Sequence, residues 1–200
     1  MPLQFSGSNI EGSDGTLSPP TPYLVRGITW SPASRNTNTT PSDPNNAAVR
    51  RAEFGLWYNV DIPLMRSMNA NTVRLVVDPG TDAAAIAVLD ALYQNGIMAA
   101  ITVDNAVNDT VHLTQSVNAL KNHPTVLCWI IGNEWNINLY YGVASSVADA
   151  AQRTQTAATM IKALDTNHPV ASSYGEIDIN ATGTSSGPPR ICALSPSCDL

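Results

Sequence analysis

The chain has 200 residues, 44% of them hydrophobic and 13% charged, so it is long and apolar enough to bury a core. Ten Lys and Arg against 16 Asp and Glu leave a formal charge of −6, and with no basic block a phosphate backbone is repelled, which excludes nucleic acid as a partner. No apolar run reaches the ~18 to 20 residues of a membrane-spanning helix.

Residues 1–22 are rich in Gly, Ser, Pro and Thr and have no period, which predicts a flexible leader; no basic start followed by an apolar block marks a secretory signal. A first apolar run, Val25 to Trp30, predicts a strand, and a long loop from Ser31 to Asn46 follows it. Further strands are predicted at Thr72 to Val77, Ile97 to Val103, Val126 to Ile131 and Val170 to Ser173. Most are apolar at nearly every position, the form of parallel strands covered on both faces.

The segments between them show the helical period. One runs from the N-cap candidate Asp82 to Asn95-Gly96 with Ile86, Leu89, Asp90 and Tyr93 at helical spacing. A second runs from Thr110 to Asn122 with Val111, Leu113, Val117 and Leu120 inward, and a third, Ala-rich, from Ser146 to Leu164. Each helix ends in similar punctuation: Asn69-Ala70-Asn71, Asn95-Gly96, Asn122-His123-Pro124 and Asn167-His168-Pro169. His123 and His168 therefore read as partners of helix ends.

Repeated strand and helix units build either an open doubly wound sheet or a closed eightfold barrel. No G-x-G-x-x-G or P-loop follows any strand, so phosphate cradling is unsupported. A barrel commonly needs ~250 residues and keeps its chemistry at the carboxyl ends of its strands. The prediction is α/β, a partial (β/α)8 barrel of about five units over residues 23–180, followed by a low-complexity tail over 181–200. The open edges of such a sheet invite self-association.

The strongest chemical signal is Gly132-Asn133-Glu134-Trp135 at the end of the wholly apolar fourth strand. A glutamate there is either partly desolvated, with the raised pKa of a general acid, or simply the start of a polar loop. Asp104 ends the third strand and either touches a ligand or caps the following turn. Trp30, Trp135 and Tyr174 stand at strand ends, where aromatic faces can stack on pyranose rings; Trp129, inside its strand, reads as core.

Arg26-Gly27-Ile28-Thr29-Trp30, Asp61-Ile62-Pro63-Leu64-Met65-Arg66 through Asn71-Thr72-Val73-Arg74-Leu75, and Trp129-Ile130-Ile131-Gly132-Asn133-Glu134 resemble the first half of a clan A glycoside hydrolase. Within that clan the chain is most similar to the glucanosyltransferases that remodel β-1,3-glucan and to β-galactosidase-like catalytic domains. The resemblance covers Leu24 to Glu176. It implies a retaining two-glutamate mechanism on a β-linked polysaccharide or oligosaccharide, with no metal or organic cofactor. Matched residue by residue, Glu134 is the acid/base, Asn133 the partner of the sugar 2-hydroxyl, and Arg74 the cation that keeps the nucleophile ionised.

The strand-seven glutamate that would be the nucleophile has no counterpart, and Glu176 and Asp178 stand after the fifth strand. The isolated chain is thus expected to be inactive, or to be a truncated product or carbohydrate-binding remnant. Three Asn-x-Thr acceptor tripeptides, at Asn38, Asn108 and Asn180, tilt the compartment towards the secretory route. Cys192 and Cys198 allow at most one intrachain pair.

Overall fold

The computed structural model describes residues 3–6, 9–12, 21–32, 46–173 and 175. Strands β4 (Gly27–Trp30), β5 (Thr72–Leu75), β6 (Met98–Val103), β7 (Val126–Ile131) and β8 (Val170–Ser172) follow the apolar runs of the sequence. They pair in parallel in the order β4-β5-β6-β7-β8. That order decides between the two architectures. A doubly wound sheet reverses direction at a switch point, whereas this one adds each strand beside the last, as a (β/α) barrel does. The fold is five units of such a barrel.

Within the N-terminal stretch, β1 (Leu3–Ser6), β2 (Asn9–Gly12) and β3 (Thr21–Pro22) form a small antiparallel sheet. The crossovers of the main sheet are α1 (Asn46–Ser67), α2 (Ala83–Gln94), α3 (Thr110–Leu120), and a pair, α4 (Trp135–Gly142) and α5 (Val147–Leu164). Three begin on a side chain that accepts from the first turn: Asp82 from the Ala85 N–H, Asp109 from His112 and Ser146 from Asp149. Gly96, at φ +68°, gives the left-handed exit after α2.

Register assigns the faces. Trp30, Leu75, Ile101, Trp129 and Val170 lie along the register of neighbouring strands, and all belong to the core between sheet and helices. One residue earlier, Thr29, Arg74, Ala100 and Cys128 form the adjacent row, which the pleat turns to the opposite, lumen face. That row is less covered, with Thr29 exposed and Arg74 and Cys128 half-buried. The helix side is sealed, and the lumen side in part, with Ala100 and Thr102 buried there.

The helical periods are present; the phase of α2 differs from the reading above, while in α3 Leu113, Val117 and Leu120 face inward as expected and only Val111 does not. In α2 the buried stripe is Ala85, Val88, Leu89 and Leu92, while Tyr93 is exposed. In α3 it is Leu113, Ser116, Val117 and Leu120, with Val111 outside. His123 pairs with Asp90, and His168 with Asp165, as expected of residues at helix ends. Leu56, Val60 and Leu64 of α1, and Met68 in the turn after it, are exposed at four-residue spacing. Among the described residues no helix is long and apolar enough to cross a membrane. Asn108 sits in an exposed turn before α3; the other two acceptor tripeptides, Cys192, Cys198 and the 181–200 tail lie outside the described residues.

Candidate active site

The carboxyl ends of β5, β6 and β7 each lead into an acid: Asp78, Asp104 and Glu134. Their surroundings divide them into two groups.

The first group is held by Arg74. From the lumen face of β5, its Nη2 donates to the Gly132 carbonyl at 3.3 Å and to Asn133 Oδ1 at 3.1 Å. Nε reaches Thr102 Oγ1 and Nη1 reaches Ser173 Oγ, both at 3.4 Å. Ser173 follows β8, three strand spacings from β5, or about 14 Å across a flat sheet. One arginine can touch both only because the sheet curls around it. Burial lowers the Arg74 pKa, and the charges of Cys128 and Glu134 act against that shift. Sequence matching placed Arg74, Asn133 and Glu134 in one site, and here Arg74 bonds Asn133 and lies near Glu134.

Glu134 stands at the rim in a left-handed conformation, φ +50° and ψ +34°. Gly132 before it has φ +69°, and a Cβ there would lie 2.7 Å from Tyr140 Cε1. Leu139, Tyr140 and Tyr141 are left-handed as well, at a cost of ~1–2 kcal/mol per non-glycine residue. Compensating contacts are numerous. Asn138 Nδ2 donates to the Asn133 carbonyl at 2.6 Å, Tyr140 stacks on Trp135 at 6.2 Å, and its hydroxyl bonds Thr154. The loop is docked on the strand beside it, with the Trp135 indole donating to Ser172 and the Gly175 N–H to Asn136 Oδ1.

Several expectations need correction. Glu134 is exposed rather than desolvated. Trp30 is no sugar platform: it is 5% exposed, stands edge-on to Phe54 and donates to Asp61 at 2.8 Å. Its register puts it on the helix side. Trp135 is wholly buried too, beneath its own loop against Ala144, Ala150 and Ala151. Tyr174 lies outside the described residues, as do Glu176 and Asp178.

Asp104 belongs to the second group, which the sequence reading missed. Asp78 is wholly buried and accepts from Arg51 Nε at 3.0 Å and Nη2 at 3.3 Å. It also bonds His112 Nε2 at 2.8 Å and accepts the N–H groups of Gly80 at 3.2 Å and Asp104 at 3.0 Å. Burial pushes the Asp78 carboxyl up, but the His112 and Arg51 hydrogen bonds and charges outweigh it and bring it down to about 2. The bond to Asp78 raises the His112 pKa against burial. The Asp104 carboxylate lies 3.5 Å from Arg51 Nη2, and burial raises its pKa. Asp104 is thus an ion-pair partner at the rim. The available signal was the repeated acid after an apolar strand; its partners on α1 and α3 are remote in sequence.

No protein-family model and no curated protein matches the chain. Among solved structures it is similar to the endo-1,4-β-mannanase of Rhizomucor miehei, with TM-score 0.58 and 14% identity over 99% of this chain and 70% of that one. It is also similar to the β-1,4-D-mannanase of Cryptopygus antarcticus, with TM-score 0.54 and 16% identity over 86% of this chain and 61% of that one. A glycosyl hydrolase family 2 member from Bacteroides cellulosilyticus gives TM-score 0.56 and 19% identity over 88% of this chain and 21% of that one. The chain spans 18% of a Bacteroides uniformis β-glucuronidase and, as above, about a fifth of the family 2 protein. At these identities the likeness is one of fold alone. It does not single out the glucan-remodelling transferases.

Proposed function

We propose that this chain supplies the acid/base half of a retaining β-glycoside hydrolase or transglycosylase site, with Glu134 as proton donor. The observation that carries the reading is Arg74, which crosses the lumen to bond Asn133 beside Glu134. A rim carboxyl next to an amide that can meet the sugar 2-hydroxyl, above a lumen cation, is what a two-carboxylate mechanism needs from this side of the ring. Protonated Glu134 would give its proton to the leaving glycosidic oxygen, and a second carboxylate ~5 to 5.5 Å away would take the anomeric carbon. Asp78 and Asp104 are engaged by Arg51, and neither is offered as that second group.

The substrate class is a β-linked glycan, with β-glucan and β-mannan the first to assay. In a protein in which this chain is part of a complete barrel, Glu134→Gln should lower turnover of natural glycans by ~10² to 10⁴, with aryl glycosides bearing good leaving groups affected far less. Equal turnover on unactivated glycans would refute the assignment. A second reading, carbohydrate binding without cleavage, is favoured for the 200-residue chain itself, since no second lumen carboxylate stands among the described residues. That chain should release no reducing sugar from laminarin-like glucan or mannan.

A further inference from the structure

We infer that Asn108 is an acceptor for an N-linked glycan. Asn108-Asp109-Thr110 has the acceptor pattern, in which only proline is barred from the middle position. The pattern alone is common, and the structure supplies what it lacks. All three residues are exposed, in the turn between β6 and α3. The backbone closes that turn by itself, with the Asn108 and Asp109 N–H groups both donating to the Asn105 carbonyl at 2.9 Å. Asp109 Oδ1 is engaged by the His112 N–H as the cap of α3. The Asn108 amide and the Thr110 hydroxyl, the two groups that the acceptor pattern requires, meet no partner among the described residues. Substituting such an amide strands no donor or acceptor, so the fold loses nothing by it.

Val111 is a second observation. The helical period puts it inward with Leu113, yet it is 65% exposed in the first turn of α3. A sugar ring linked to Asn108, three residues earlier, can lay its apolar face over this side chain and take it out of water. The donor that the chemistry calls for is an oligosaccharide carried on a lipid diphosphate. Asn108 Nδ2 attacks the anomeric carbon, the C–N bond forms as the bond from that carbon to the diphosphate oxygen breaks, and the amide gives up one proton. Nothing in this depends on Glu134, and the assignment would stand if the chain cleaved no glycoside. It places the chain in the secretory route, where this donor is used.

The test directs the 200-residue chain into the secretory route of yeast behind a cleavable leader. Each Asn-x-Thr tripeptide is then read by peptide mass spectrometry, before and after an amidase that releases N-linked glycans and leaves Asp in place of the modified Asn. Asn108 is expected to be modified in most chains. Thr110→Val should abolish that modification and leave Asn38 and Asn180 as they were, while Thr110→Ser should keep it at lower occupancy. Should Thr110→Val fail to fold, the unaltered chain and Thr110→Ser decide. Asn108 left bare in the unaltered chain would overturn the site, whether or not Asn38 and Asn180 are modified. Modification of Asn108 that survives Thr110→Val would overturn it too, because the tripeptide would then not be what is recognised. These outcomes leave the assignment of Glu134 untouched.

Discussion

Replacing Asp78 by Asn should be among the most damaging single changes in this chain. The carboxylate is fully buried and gathers two N–H groups of Arg51, the His112 ring and two backbone N–H groups. An asparagine keeps the shape but turns one acceptor oxygen into a donor. If Oδ1 is lost, Arg51 Nε and Gly80 face an NH₂; if Oδ2 is lost, His112, Arg51 Nη2 and Asp104 do. Either way Arg51 remains partly buried without its counter-charge. Breaking such a pair from one side costs ~3–5 kcal/mol, and the residual contact of Arg51 with Asp104 puts this case near the lower end, about 3 kcal/mol. For a chain of this size that is a fall in Tm of about 6–12 °C. Urea denaturation followed by circular dichroism gives the free energy, and calorimetry the Tm. The double variant Asp78→Asn/Arg51→Met should lose less than the two single changes together, because the stranded cation is gone. A single-variant loss below about 1 kcal/mol would show that the network is solvated and the reasoning wrong.

The same network sets the pH window. The Asp78 carboxyl falls from the ordinary 3.8 to about 2, which is worth about 2 kcal/mol. A depressed carboxyl stabilises above its unfolded pKa, so that contribution should disappear between about pH 4 and pH 2, and Asp78→Asn should flatten this part of the urea-midpoint profile. Asp104 shifts upward and partly offsets the acid loss. His112 is raised above 6.5, so its contribution is complete below that pH and fades as pH climbs through the folded value; His112→Gln should remove the alkaline limb. Gly132→Ala meets both the positive φ and Tyr140 and should destabilise by ~1–3 kcal/mol, a value that urea melts check directly. Burial pushes the Cys128 thiol up to about 12, with Arg74 opposing. In a Cys192→Ser/Cys198→Ser background it should resist an aromatic disulfide reagent at pH 8 until the chain is unfolded.

How much of this was legible follows from what kind of constraint each feature obeys. The strands were readable because their outward rows, such as Leu75, Ile101 and Trp129, are buried and leave unbroken apolar runs. Helix starts were readable because Asp82, Asp109 and Ser146 act within three residues of themselves. The phase of α2 was not, since Ile86 and Val88 are equally apolar and only the packing partner chooses between them. Trp30 and Trp135 were misplaced for a related reason: a position at a strand end says nothing about which side of the pleat, or of a returning loop, an indole takes. Arg74 stands on the lumen side because its neighbours Val73 and Leu75 take the helix side of the pleat. The Asp78 network was not legible, because Arg51 and His112 arrive from 27 and 34 residues away on helices whose outer faces look ordinary in sequence.

Among the described residues β4 and β8 end the sheet, and the borders of such a sheet have a consequence for stoichiometry. Strands running the same way present unlike borders: the flank of β4 differs from that of β8, and neither can mate with a copy of itself and keep the parallel sense of the sheet. Any neighbour that extends this sheet in that sense must set its β8 beside β4, leaving a fresh border at the far end. Growth of that kind either bends round into a ring or continues as a fibre, so light scattering that climbs with concentration without levelling at a dimer is the signature to expect wherever these borders are left uncovered.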